Sequence, residues 1–341
     1  MKTLPFALAA TAAFAASDPA SPLMLTGPWL PENSHQLNFA ALPRVPCEHV
    51  VINDVREAKG VNQHNYLVHH DGKFWAMWSD GPGVEDRVGQ RVKFATSADG
   101  LKWSEPQMLN AEFVKPTVES GLTFKSERRW LFRIRKGPDG AFYSLARCGI
   151  KDQGGAFGLI TYRSEDGVNF KALHTYSEGP TSALNQAGGT GWGHEADVAW
   201  TPDGTLVSAI RNGNPGIVVF GKAPLGPWKA FATDAWNFGG PALHVTKGGG
   251  ILLAARALPE KNTIGFPSLC KVWTVTANGV EKPWTMPSGG DGAYQSFADG
   301  QRGDEVLLAY YSSHEYPQLS GVGKNPANIY LAHLRVRHTA P

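Results

Sequence analysis

Three features of this 341-residue chain predict an all-β fold, specifically a β-propeller of five or six blades. A unit of Gly-centred turn, strand, loop and strand recurs along the chain, no long segment carries a helical period, and Gly (39), Pro (24) and Trp (11) are all plentiful. Many short strands joined by tight turns use that composition, whereas a helical bundle does not.

Taken in order, the chain opens on MKTLPFALAATAAFAASDPASP, with one basic residue, a short apolar run and small residues at Ala13 and Ala15. This pattern predicts a signal peptide over residues 1–15, and residues 16–341 then form one propeller domain that is secreted or periplasmic. The run is too short to span a bilayer comfortably, and no later segment is long enough. The first repeat unit is DGKFWAMWS followed by RVKFATSADGLKW, from Asp71, and the second is DGAFYSLAR followed by LITYRSEDGVNF, from Asp139. The third, DGTLVSAIR with IVVFGKAPLGPW, begins at Asp203, and a looser fourth, GGGILLAAR with CKVWTVTANGVEKPW, begins near Gly248. The fifth pairs ADGQRGDEVLLAYYSS with NIYLAHLRV, while residues 26–60 supply a sixth unit or complete the closure. A single antiparallel sheet of this kind cannot bury both faces, but several packed radially bury one another.

Composition narrows the function. With 32 Lys and Arg against 30 Asp and Glu, the net charge of +2 lacks the basic excess of a nucleic-acid binder. Cys47, Cys148 and Cys270 are scattered without a C-x-x-C pair, so zinc ligation is not expected and any disulfide pairing stays open. No other metal-ligand spacing is present, and GGTGWG at 188–193 precedes a strand where a nucleotide loop would precede a helix, so no cofactor is expected.

TSADGLKW (96–103) and YRSEDGVNF (162–170) resemble shortened Asp-boxes, the Ser-x-Asp-x-Gly-x-x-Trp turns of sialidase-type propellers. Their aspartate accepts backbone hydrogen bonds and the aromatic ring plugs between strands; Asp99, Trp103, Asp166 and Phe170 therefore have structural roles. HEADVAWTPDGTLVSAIRN (194–212) resembles the sialidase segment in which a glutamate precedes a D-G turn and an arginine follows it. The resemblance implies Glu195 as the base that polarises a nucleophilic tyrosine and Arg211 as a carboxylate binder. GDGAYQSFADG places Tyr294 in the setting of that tyrosine, and Arg256 in LLAARAL has the place in its unit that Arg211 has in SAIRN. The chemistry is consistent: an acidic sugar suits fixed guanidinium forks, and a neutral tyrosine attacks beside a carboxylate that would repel an anionic nucleophile.

One part of the family pattern is missing. The first unit of a sialidase begins with Arg-Ile-Pro, and here Asn62, Gln63 and His64 hold that place. The Gln63 amide can donate to a carboxylate, and a neutral imidazole at His64 can act as acid or base. The same segment is similar to that of propeller-type polysaccharide lyases and rhamnosidases, where a first-unit histidine acts on uronate-bearing glycans. In the loop SDGPGVEDRVGQR the resemblance implies Asp86, or its neighbour Glu85, as acid/base, with Asp80 opening the loop as a substrate contact. Trp192 lines the pocket or packs. The leading expectation is an exo-glycosidase, sialidase-like, that takes an acidic-sugar-terminated glycan. The alternatives are a lyase or rhamnosidase using His64 and a tyrosine, and a propeller that binds carbohydrate without turning it over.

Overall fold

The computed structural model describes residues 49–54, 60–82, 88–109, 117–119, 131–149, 157–177, 195–211, 215–222, 228–258, 269–281, 283–289, 292–315 and 326–336. They form five sheets, antiparallel but for one rim strand, arranged as the blades of a propeller. Blade I contains Gly60–His70, Lys73–Pro82, Arg91–Ser97 and Gln107–Met108, from the axis outward. Blade II runs through Arg135–Lys136, Phe142–Gly149, Phe157–Ser164 and Asn169–Ser177, and Thr117–Glu119 adds a parallel strand at its rim. Blade III is Ala196–Trp200, Thr205–Ile210, Ile217–Lys222 and Trp228–Ala232. Blade IV is Trp236–Val245, Ile251–Leu258 and Leu269–Thr276, whose outer edge pairs with both Gly279–Val280 and Trp284–Thr285.

Blade V closes the ring and decides the blade count. Its strands Gly292–Asp299, Glu305–Ser312 and Asn328–Arg335 are completed on the outside by His49–Asn53 from the other end of the chain. Residues 49–53 therefore finish the fifth blade, and no sixth is formed by the described residues.

Strand alternation explains why the sheets need each other. In Thr205–Ile210, Leu206 and Ile210 face the core shared with blade II. Val207 and Ala209, one residue out of phase, face the core shared with blade IV, among Phe238, Leu253 and Trp273. The same division places Leu308 and Tyr310 against blade IV, and Leu307 and Tyr311 against blade I. Trp78, Trp273 and Tyr310 are fully buried in these seams. Burying one large apolar side chain contributes about 1.5–3 kcal/mol, so the seams between blades hold the ring together.

The turns after the third strands of blades I and II use their aspartates as side-chain acceptors. Asp99 Oδ1 accepts from the amides of Leu101 (2.8 Å) and Lys102 (2.9 Å), and Asp166 Oδ1 from Val168 and Asn169 (2.8 Å each). Trp103 packs on the core between blades V and I and donates Nε1–H to the Gly100 carbonyl at 3.0 Å, while Phe170 is buried with Ile160 and Tyr162. Cys270 is a free thiol in the seam between blades IV and V, and burial pushes it up to about 12, so it is an unreactive core residue at neutral pH. Cys47 and the segment 1–15 lie outside the described residues, and for Cys148 the backbone alone is described. No helix among the described residues is long and apolar enough to cross a membrane.

Candidate active site

The repeat visible in the sequence is the hairpin of each blade's second and third strands. The strands nearest the axis precede those hairpins, and three of them are bulged. Pairing slips between Gln63 and Tyr66, between Gly239 and Ala242, and between Ala293 and Ser296. At each slip one residue takes a left-handed backbone: His64 (φ 52°), Gly240 (φ 58°) and Tyr294 (φ 52°). A bulge breaks the in–out alternation and re-aims a side chain. For histidine and tyrosine that conformation costs roughly 1–3 kcal/mol and persists only where the surroundings over-determine it. His64 and Tyr294, from blades I and V, meet edge to face with ring centroids 4.5 Å apart.

Glu195 is the hub of the site. It immediately precedes the inner strand of blade III and is 4% exposed. Its Oε1 accepts from Arg211 Nη1 (2.6 Å) and the Tyr294 hydroxyl (2.9 Å), and its Oε2 accepts from the Gly240 amide (2.7 Å). The 16-residue spacing of Glu195 and Arg211 is a consequence of the hairpin. Ala196 pairs with Ile210, so the next pair outward is Glu195 with Arg211, whose amide donates to the Glu195 carbonyl at 2.8 Å. Burial raises the Glu195 carboxyl, but Arg211, the Gly240 amide, Arg256 and the Tyr294 hydroxyl together outweigh it and hold the group below its ordinary value of 4.5. Burial, reinforced by the Glu195 charge, pushes the Tyr294 phenol far above its ordinary value, against the pull of Arg256 and Arg211. At neutral pH the pair is therefore a carboxylate accepting from a protonated phenol.

Two glycines make room for this arrangement. Gly239 pairs across the strands with Arg256, and a Cβ on it would lie 2.8 Å from Arg256 Nη2. A Cβ on Gly240 would lie 2.6 Å from the Tyr294 nitrogen and 2.8 Å from its Cα, backbone atoms that cannot yield. Gly240→Ala is expected to destabilise the protein by about 2–3 kcal/mol, from the left-handed φ together with the backbone clash. Urea denaturation measures it, and an unchanged midpoint would show that blade V can shift away.

On the other side of Tyr294, His64 Nδ1 lies 3.0 Å from Ser79 Oγ, and Ser79 donates its hydroxyl to the Gln63 carbonyl at 3.1 Å. A serine has one hydroxyl proton, so Ser79 accepts from Nδ1–H, and a neutral His64 carries its basic lone pair on Nε2.

The structure brings Glu195, Arg211, Arg256, Tyr294 and His64 together, and Gln63 is buried beside His64 with its carbonyl bonded to Ser79. Asp80 has a different setting. It lies one strand out from the axis, opposite Asn62, and is held by Arg91 (2.7 Å) and Lys93 (3.3 Å) on the next strand. Its carboxylate joins two strands of blade I, where a substrate contact had been expected. Asp86, Glu85 and Trp192 lie outside the described residues.

Sequence reasoning missed Arg133 and the Gly239-Gly240 pair. Arg133 is 4% exposed and precedes the inner strand of blade II; the guanidinium is 5.1 Å from the Tyr66 ring. The signal was present. His64, Arg133 and Glu195 precede the turn aspartates Asp71, Asp139 and Asp203 by six to eight residues each, so the repeat itself indexes the axial position. A Gly pair inside a strand run likewise signals a bulge or a close backbone approach.

No protein-family model matches this sequence, and no curated protein matches it. Among solved structures, a protein of unknown function from Dyadobacter fermentans DSM 18053 is similar at TM-score 0.57 and 12% identity, over 85% of this chain and 98% of that one. The endosialidase of phage phi92 is similar at TM-score 0.54 and 8% identity, over 89% and 72%. The likeness is one of fold. At such identities it establishes the propeller architecture and leaves the chemistry to the residues described above.

Proposed function

We propose that the protein is a glycoside hydrolase that releases a terminal acidic sugar, a sialic acid, from glycans. The observation that carries this reading is the 2.9 Å hydrogen bond from Tyr294 to Glu195 within a cluster of arginines. Around the axis Arg133, Arg135, Arg211 and Arg256 face the carboxylates of Glu195 and Asp197, and Arg135 and Asp197 close on each other in a two-bond fork of 2.8 and 2.7 Å. The remaining excess of positive charge suits an anionic ligand. The fold shared with a protein named an endosialidase is in keeping with this.

In this reading Tyr294 Oη attacks the anomeric carbon and its proton passes to Glu195, while an acid protonates the leaving glycosidic oxygen. Asp86 is the residue we assign to that acid. Water then attacks the anomeric carbon and loses a proton to the Asp86 carboxylate, as the tyrosyl C–O bond breaks and Glu195 returns its proton to the phenol oxygen. Arg211 and Arg256 hold the sugar carboxylate.

Proton NMR of the protein with α2,3- and α2,6-sialyllactose tests the proposal. Free sialic acid appearing first as the α-anomer is the expected result. A first-formed β-anomer rules out the tyrosine-linked intermediate, and no release from either glycan rules out the sialic-acid reading.

The contact of His64 with Tyr294 favours a second reading, a lyase acting on uronate-bearing glycans. There His64 Nε2 removes the C5 proton, the Tyr294 phenol protonates the leaving oxygen, and an arginine neutralises the uronate carboxylate. Its product is an unsaturated uronate with a new ultraviolet absorbance, which the hydrolase does not form.

A further inference from the structure

Arg133 reaches the axis from blade II and touches neither Glu195 nor Tyr294 through its hydrogen bonds. Its Nη2 donates to the Gln295 carbonyl and, at 3.5 Å, to the Gly240 carbonyl. Tyr66 lies against the guanidinium, 5.1 Å from ring centroid to Cζ, and Phe132 does so at 5.6 Å. Three of these contacts fall on bulges: Tyr66 closes the bulge of blade I, Gly240 is the left-handed residue of blade IV, and Gln295 follows the left-handed Tyr294 of blade V. One guanidinium thus meets all three.

We propose that Arg133 is a positioning residue that pins the three bulges, and that it thereby sets the Tyr294–Glu195 hydrogen bond. The link through Gly240 is direct, since the residue's N–H binds Glu195 while its carbonyl binds Arg133. The link through Gln295 is one residue longer, because fixing that carbonyl fixes the peptide plane following Gln295, the neighbour of Tyr294. A left-handed tyrosine is strained, and such a residue keeps its conformation only where neighbours hold it. Arg133 fits that task because it is buried, its Nη2 group donates to two carbonyls at once, and its charge strengthens both bonds. The Glu195 and Asp197 charges act on it through space. Lysine has the charge without the planar guanidinium that lies against Tyr66 and Phe132, and methionine has the approximate volume without either.

The proposal rests on the Tyr294–Glu195 reading of the site, so its test includes a measurement that needs no turnover. Amide hydrogen exchange is followed by mass spectrometry in the wild type, Arg133→Lys and Arg133→Met. Exchange over 239–241 and 293–296 is expected to quicken at least about tenfold in both variants, while 205–210 and 305–310 stay protected. On sialyllactose, kcat is expected to fall about 100-fold with KM within about twofold, the pattern of a misaligned pair with intact substrate contacts. Unchanged exchange with a raised KM and a retained kcat would make Arg133 a substrate contact and overturn the proposal. Exchange quickened equally across all five blades would make it a general packing residue and overturn it as well. Should Arg133→Met fail to fold, Arg133→Lys alone decides between these outcomes. A wild type that leaves sialyllactose intact sinks the proposed function, and the exchange data still decide the pin.

Discussion

Tyr294→Phe is expected to lower kcat on an acidic glycoside by about 10⁴-fold, comparable to the loss of other catalytic nucleophiles. The ring would keep its packing against His64, Phe132 and Tyr311, with centroids 4.5, 5.6 and 6.4 Å away. Glu195 would lose one donor and keep Arg211 and the Gly240 amide. One hydrogen bond to a charged group is worth about 1.5–3 kcal/mol, so the melting temperature should drop by no more than about 12 °C. Substrate binding should persist, because Arg211 and Arg256 are untouched. Turnover near the wild-type rate would make Tyr294 a packed ring and move the chemistry to other residues.

Glu195→Gln is expected to affect both activity and stability. The amide still accepts from the Gly240 amide but brings no negative charge to Arg211 and Arg256, and it cannot take the Tyr294 proton. A fall in kcat of about 10³-fold and a loss of about 3 kcal/mol follow from removing a base and from breaking a buried ion pair. The sign of the pH dependence is set by the depressed Glu195 carboxyl. Its folded value lies below 4.5, so the stability it confers is fully present above that ordinary value and is lost as pH falls through the folded one. Urea midpoints of wild type and variant should therefore differ most at neutral pH and converge under acid. A gap that stays constant down to about pH 3 would show that the carboxylate charge contributes nothing.

Particular residues show why part of the site was legible beforehand. Glu195 and Arg211 could be read together because an antiparallel hairpin converts a spacing in sequence into a contact in space. Arg256 could be read because it has the equivalent place in another hairpin. Arg133 could not be read from such a pair, since its contacts lie 107 and 162 residues away on other blades. For Asp80 the sequence offered only its place at the opening of a loop, and the structure adds that its carboxylate faces Arg91 and Lys93 one strand further out.

The sequence by itself determined the all-β propeller, the hairpin units and the residue types available for chemistry, because strand alternation and turn residues are local properties. It also determined that charged and aromatic residues stand a few positions ahead of successive D-G turns. Only the tertiary structure decided the blade count, since closure joins residues 49–53 to residues 328–335 across the whole chain. It also decided the meeting of Glu195, Tyr294 and His64, which depends on bulges and left-handed backbones that alternation does not encode. Those conformations are locally unfavourable, and they are held by contacts with blades distant in the chain.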